Sequence, residues 1–274
     1  MTKFRVVAAF LVLFPVVAIA QQQDDVEMLA EALGIGDVVE IMRQEGLVYA
    51  QELDQEMLSG QGGAGLAAQV EEIYSAERMQ ATFSRYFRQE LDSEDLSVLI
   101  AFFSSELGQR IVALELSGRR ALLDETVEEL SLEALRDAEA DGSARLGIVK
   151  IFSDVNGLIE TNIEGAMNAN FAFYEGLQAG GAFDKVLTES QILNDVWAME
   201  PEIRKSTRDW VYSYLLMAYG PLSDEDLQAY IDLSKSPAGQ AMNQALFVAF
   251  DVMFVDISRA LGLSVARYMV GEDI

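Results

Sequence analysis

Apolar residues recur every three or four positions along most of this chain. The clearest run extends from Ile148 to Tyr174 and forms one apolar stripe at helical spacing. No segment of the sequence sustains the two-residue alternation that a half-buried β-strand needs. The pattern therefore predicts an all-α protein, a helical bundle in which each helix turns one apolar face inward.

Short local signals indicate where these helices begin and end. Thr188 with Gln191, and Asp37 with Glu40, have capping-box spacing, and Ser236 precedes a proline at a first helical position. Glycine-rich stretches indicate the ends. The predicted helices are 37–58, 65–89, 93–104, 106–138, 144–178, 183–199, 201–219, 223–235 and 237–262.

One helical motif occurs twice. The segment from Leu91 to Leu96 reappears 131 residues later as the segment from Leu222 to Leu227. Each copy continues with a short helix, a serine that caps the next helix and a glycine that allows a close helix crossing. The repeat predicts two related helical halves, 21–142 and 143–274. The motif residues, structural or interacting in role, are Ser105, Gly108, Gln109, Ser236, Pro237, Gly239 and Gln240.

The motif resembles that of the bacterial family catalogued as domain of unknown function 2059. The better match is the segment from Leu222 to Ala241, and the segment from Leu91 to Arg110 is a weaker copy, with Glu106 in the proline position. The resemblance implies an exported, all-helical protein of the periplasm. It implies no catalytic residues, because none are established for that family.

The first twenty residues have the order of a secretory signal peptide. Lys3 and Arg5 precede an almost wholly apolar stretch, 6–18, and Ala18 and Ala20 occupy the −3 and −1 positions of a cleavage site. The apolar stretch is shorter than the roughly 20 residues that span a bilayer as a helix. We expect cleavage after Ala20, export to the periplasm and no transmembrane span afterwards.

The composition excludes several chemistries. The 274 residues include 19 Lys and Arg, 45 Asp and Glu, and neither His nor Cys, for a net charge of −26. Nucleic acid is therefore not expected as a partner, because phosphate binding needs clustered basic residues. A Ser-His-Asp triad, thiol nucleophiles and imidazole or thiolate metal ligands are excluded as well. We expect no catalytic residues, no cofactor and no metal, and so not an enzyme.

One acidic stretch needs separate consideration. The segment from Asp137 to Ser143 matches the first half of an EF-hand loop, but Ile148 occupies the position of the closing glutamate. We expect a solvated linker there. The wider segment 124–141 carries eight acids and one base, as in the solvated face of a helix, and the alternative is that it binds cations or a basic partner.

Two aspartates interrupt the apolar segment 247–257. A helix this apolar is expected to be central, so Asp251 and Asp256 are expected to be partly buried and paired. The alternative is a polar anchor in a ligand pocket. The candidate partners are Arg119, Arg120 and Arg259.

Three functions follow from these features. The leading one is a non-catalytic binding or structural module with protein partners in the cell envelope. The second is a small-molecule or lipid carrier with an apolar pocket between the halves, which a cavity above about 300 Å³ would favour. The third is a carboxylate-based hydrolase, which two converging carboxylates with one raised pKa would favour.

Overall fold

The computed structural model describes residues 16–91, 94–183 and 185–271, and every regular element within these ranges is an α-helix. The all-α prediction is confirmed. The helices are α1 (Val16–Ala32), α2 (Ile35–Leu58), α3 (Gly63–Ile73), α4 (Ala76–Glu90), α5 (Ser97–Phe103), α6 (Glu106–Ala121), α7 (Glu125–Ala140), α8 (Ala144–Val155), α9 (Leu158–Ala179), α10 (Glu189–Tyr219), α11 (Asp224–Lys235) and α12 (Pro237–Met269).

The long helix α12 is the centre of the packing. It contacts α2, α3, α4, α5, α9 and α11. Ala245, Ala249 and Met253 follow one another at four-residue steps and are buried, so α12 presents a continuous apolar stripe to its neighbours. This burial stabilises the fold, because it removes a contiguous apolar surface from water.

Residues from both predicted halves share one hydrophobic core. The rings of Phe83 on α4 and Phe250 on α12 lie 4.7 Å apart between centroids, and both residues belong to this packing. The predicted boundary at residue 142 falls in the turn between α7 and α8. The division into two related repeats stays a prediction.

Glycines let α9 and α12 approach at backbone distance. A Cβ atom added at Gly176 would lie 2.2 Å from the Arg259 carbonyl oxygen, and one at Gly262 would lie 2.2 Å from the Phe173 carbonyl oxygen. A side chain larger than hydrogen does not fit at either position. The two helices are therefore fixed against each other along this segment.

The two copies of the motif form the same helix corner. Ser105 Oγ accepts from the Gly108 amide at 3.1 Å and donates to the Phe102 carbonyl at 2.6 Å. Ser236 Oγ accepts from the Gly239 amide at 3.0 Å, and it donates to the carbonyl three residues earlier at 2.7 Å. Each serine thus caps the following helix while its hydroxyl group holds the end of the preceding one.

The remaining motif residues support these corners. A Cβ atom at Gly108 would lie 2.2 Å from the Phe102 carbonyl oxygen, and one at Gly239 would lie 2.1 Å from the corresponding oxygen of Leu233. Pro237 occupies the first turn of α12. Gln240 Nε2 donates to a carbonyl oxygen of α8 at 3.2 Å, whereas Gln109 is exposed.

Three predicted helices are each divided in two, and here the sequence prediction was wrong. The prediction 106–138 becomes α6 and α7 because Asp124 Oδ1 accepts from the Thr126 amide and caps a new helix. The prediction 144–178 becomes α8 and α9 because Gly157, at φ +62°, leaves the helical conformation. Likewise, 65–89 becomes α3 and α4.

Two further boundaries differ from the prediction. Helix α10 continues through Pro201, where two helices were predicted. A proline removes one backbone donor, and the packing of α10 against α6, α7, α8 and α9 compensates for that loss. Helix α2 begins at Ile35 after Gly34, so Asp37 and Glu40 form no capping box. The capping box of Thr188 and Gln191 is confirmed.

No single helix in the described ranges is long and apolar enough to cross a membrane. The pair α5 and α6 reaches the required length and composition only together, and it is bent by 71°. Residues 1–15 of the predicted signal peptide lie outside the described residues.

Candidate ligand cavity

A cavity of about 730 Å³ opens among helices of both predicted halves. Its walls come mainly from α6, α9, α10 and α12, with contributions from α2, α8 and α11. Most of the wall is apolar and only half-buried, so these side chains present surface to the cavity rather than to one another. Representative wall residues are Val38, Leu116, Leu158, Leu246, Phe250 and Phe254.

The polar end of the cavity is built around Glu115 of α6. The Tyr219 hydroxyl donates to Glu115 Oε1 at 2.6 Å. The Tyr214 hydroxyl donates to the Glu115 backbone carbonyl at 3.1 Å. Tyr230 of α11 also hydrogen-bonds the Glu115 side chain. Two phenol groups, those of Tyr219 and Tyr230, thus converge on the Glu115 carboxyl group, and that of Tyr214 binds the backbone beside it.

Burial raises the pKa of Glu115 to about 7, against an ordinary value of 4.5. The hydrogen bonds from Tyr219 and Tyr230 oppose this rise, because they stabilise the carboxylate. Burial and the Glu115 charge raise the pKa values of Tyr219 and Tyr230 well above 10, so both phenols remain donors. The carboxyl group can therefore exchange its proton near neutral pH.

Aromatic packing holds this polar end in place. The Phe152 ring lies 5.2 Å from the Tyr219 ring and 4.9 Å from the Tyr230 ring, measured between centroids. Arg145 donates to the backbone carbonyls of Tyr219 and Leu222, the latter at 2.7 Å. The end of α10 is thereby tied to α8, which limits movement of the Tyr219 hydroxyl.

The arginine that lines the cavity is already paired. Arg119 Nε and Nη2 donate to the two carboxylate oxygens of Glu45, each at 2.9 Å. Burial lowers the pKa of Arg119, but the hydrogen bonds and charge of Glu45 more than offset this, so the pKa is raised. The guanidinium group also lies 5.8 Å from the Trp210 ring. Its charge is compensated by Glu45.

Acidic and amide groups form the rim of the cavity. Asn162, Glu164 and Asn168 of α9 are exposed there. Asn168 Nδ2 donates to Asp251 Oδ1 of α12 at 3.1 Å. Asp251 is half-buried and lines the cavity, as in the polar-anchor alternative.

The predicted arginine pairing was therefore wrong for Asp251. It fails because Arg119 pairs with Glu45 and Arg120 with Asp37. Asp256 does contact Arg259, at 3.8 Å between Oδ1 and Nη1, but both side chains are exposed. The predicted burial of Asp256 was wrong, because its side chain points away from the apolar stripe of α12.

The motif residues and the acidic stretch lie away from the cavity. None of the seven motif residues is part of its wall. Asp137 and Glu139 lie within α7, and Asp141 caps its end. In the part of the chain that the structure describes, no three acidic side chains come together to hold a metal ion.

The sequence did not single out Glu115, Tyr219 or Tyr230 as site residues. A signal was present, since Glu115 is an acid within the apolar run of α6, as Asp251 is within α12. The convergence itself had no local signal. Glu115 and Tyr219 are 104 residues apart along the chain.

The chain is an all-α protein whose helices surround a largely apolar cavity. Residues 77–137 of this chain match the model of a family described as an uncharacterized protein conserved in bacteria, domain of unknown function 2059. The resemblance is confirmed for this stretch, which includes the copy ranked weaker from the sequence. The second copy, Leu222 to Ala241, stays a prediction. No curated protein and no solved structure matches the chain.

Proposed function

We propose that this protein is a non-catalytic carrier or binding protein for a small apolar or amphipathic molecule. The cavity of about 730 Å³ is the observation that supports it. Ligand sites commonly measure about 300–1,000 Å³ and combine apolar walls with a few convergent polar groups. The cluster of Glu115 with three tyrosines supplies such groups at one end, and these would orient a bound molecule.

The fluorescence of Trp210 tests the proposal directly. Trp210 lines the cavity, while the chain's other tryptophan, Trp197, is 62% exposed elsewhere on α10. In a Trp197→Phe variant, Trp210 is the sole reporter. Titration with a neutral apolar probe, N-phenyl-1-naphthylamine, is expected to change its emission with saturation at one site. An unchanged emission at saturating probe would contradict the proposal.

A cavity-filling variant provides the matched test. Ala169 of α9 lines the cavity, so Ala169→Phe is expected to reduce probe binding by about tenfold or more as the ring occupies ligand space. Ala81 of α4 is exposed and lies outside the cavity, so Ala81→Phe is the control and should bind as the parent does. Equal binding by the two variants would place the probe elsewhere.

A hydrolase is less well supported than a carrier. The raised pKa of Glu115 meets one of its requirements. However, the side-chain partners of Glu115 are tyrosine hydroxyls, and Glu45 is neutralised by Arg119. A binding role uses these groups without requiring a second reactive carboxylate.

The proposal includes export to the periplasm after cleavage behind Ala20. The signal-peptide order of residues 1–20 supports it. Sequencing the N-terminus of the protein from a periplasmic extract should give Gln21 as the first residue. Detection of Met1 in that fraction would contradict cleavage.

A second candidate function, interaction with an envelope protein, has one observation in its favour. Val186 is 84% exposed, and Leu193 and Trp197 lie one helical turn apart on the exposed face of α10. Clustered exposed apolar side chains are typical of interaction surfaces. Cross-linking in periplasmic extracts should give an adduct that Trp197→Glu abolishes and Val98→Glu, at an exposed apolar position of α5, does not.

A further inference from the structure

The polar end of the cavity contains an acidic group that no protein cation neutralises. Within the described ranges, the hydrogen-bond partners of the Glu115 carboxyl group are the neutral hydroxyls of Tyr219 and Tyr230. Arg119 is the one basic residue of the cavity wall, and two of its N–H groups are engaged by Glu45. A ligand that approaches Glu115 therefore meets an uncompensated carboxyl group.

The surroundings of the cavity are negatively charged, as Glu115 is when it is ionised. Glu164 and Asp251 lie at the rim, and the whole chain has a net charge of −26. An excess of one charge around a cleft raises the local concentration of oppositely charged ligands. Anionic ligands, such as fatty acids, would be repelled by the rim and by ionised Glu115.

Aromatic rings line the cavity close to Glu115. Trp210 and Tyr214 stack at 5.1 Å and are both half-buried on the cavity wall, with the Arg119 guanidinium group 5.8 Å from the Trp210 ring. Tyr230 lines the cavity beside Glu115. The faces of such rings attract ammonium groups, by about 0.5–2 kcal/mol in proteins. The part of the wall that α12 provides includes the apolar side chains of Leu246, Phe250 and Phe254.

From this arrangement, and resting on the proposed carrier function, we propose that the ligand is an amphipathic cation. Its ammonium group binds the Glu115 carboxylate among the tyrosines, and its single apolar chain lies along α9 and α12.

The ionisation of Glu115 gives this binding a characteristic pH dependence. The groups that face Glu115 are Arg119 on its own helix and the phenols of α10 and α11, which stay neutral because their pKa values are raised. Glu164 of α9 and Asp251 of α12 are the other charged groups of the cavity wall, and Glu45 of α2 is paired with Arg119. With a Glu115 pKa of about 7, the ionised fraction rises about tenfold between pH 6 and pH 8.

Isothermal titration with three chain-matched ligands tests the proposal. Decylamine, decanol and decanoate share the apolar chain and differ only in the charge of the head group. At pH 8 we expect decylamine to bind about tenfold or more tightly than decanol, and decanoate to bind most weakly. Between pH 6 and pH 8 we expect the affinity for decylamine to rise about tenfold.

Two variants with the same change in net charge complete the design. Glu115→Gln is expected to lose about tenfold or more in decylamine affinity at pH 8, to lose the pH dependence and to bind decanol as before. Glu129→Gln, on the exposed face of α7, should behave as the parent chain. The folding of Glu115→Gln is checked by its unfolding midpoint, which should not fall, because the neutral side chain has the same size and suits the half-buried position.

The outcomes separate this inference from the carrier function. If none of the three ligands binds, both fail. If decanol or decanoate binds as tightly as decylamine, or if Glu115→Gln leaves the affinity for decylamine unchanged, the carrier function stands and the cation inference is overturned.

Discussion

At the scale of single residues, the Glu115 side chain affects both the stability of the folded protein and the binding of a ligand. Burial among tyrosines and apolar side chains favours its neutral form, whereas a cationic ligand favours the carboxylate. The protein without ligand is therefore expected to hold a proton that the ligand displaces. Proton release on binding follows from this arrangement.

The stability of the chain should depend on the charge of this residue. Because the pKa of Glu115 is raised from 4.5 to about 7, its stabilising contribution is complete below pH 4.5 and is lost as the pH rises through 7. Glu115→Gln remains neutral and avoids this loss. The unfolding free energy of Glu115→Gln minus that of the parent chain should therefore increase by about 2 kcal/mol between pH 5 and pH 8.

Urea unfolding at the two pH values measures this gain. Glu129→Gln serves as the control, since its carboxyl group is exposed on α7. A difference between Glu115→Gln and the parent chain that is the same at pH 5 and pH 8 would show that Glu115 does not titrate as described.

At the scale of elements, the contact between α9 and α12 sets the shape of the cavity. Gly262→Ala would place a methyl group 2.2 Å from the Phe173 carbonyl oxygen, and a backbone atom cannot move aside as a side chain can. The helices must separate, at a cost of about 1–3 kcal/mol. Probe affinity should fall as well, because both helices form walls of the cavity.

Thermal unfolding and probe titration measure these two effects. Gly147→Ala on α8 is the matched control, because an added Cβ there meets nothing within 4 Å. It should stabilise the chain by about 0.5–1 kcal/mol through helix propensity. Gly262→Ala with unchanged stability would mean that the two helices are not in backbone contact.

The two helix corners allow a comparison within one molecule. Ser105→Ala and Ser236→Ala each remove a cap and a bond to the preceding helix, with an expected loss of about 1 kcal/mol from the cap. Chemical denaturation should give similar losses at both sites. Ser97→Ala on the exposed start of α5, whose side chain caps no helix, is the control and should lose much less. A loss at one corner only would show that the corners differ in energy despite their shared geometry.

At the scale of the whole molecule, local sequence predicted what depends on local interactions. Helix content, the serine caps and the proline at the start of α12 all follow from neighbours within four residues. The break at Gly157 was missed because the apolar period continues through it. The cavity could not be predicted, since apolar spacing shows which face of a helix is buried but not which partner covers it.

Because protein synthesis starts at the N-terminus, the central helix α12 is made after all the helices that pack against it. The helices α2, α3, α4, α5, α9 and α11 all precede it along the chain, yet each needs its apolar stripe for packing. A nascent chain therefore cannot close its core until residues 237–269 have left the ribosome. Until then it remains an incompletely folded polypeptide, open to chaperones.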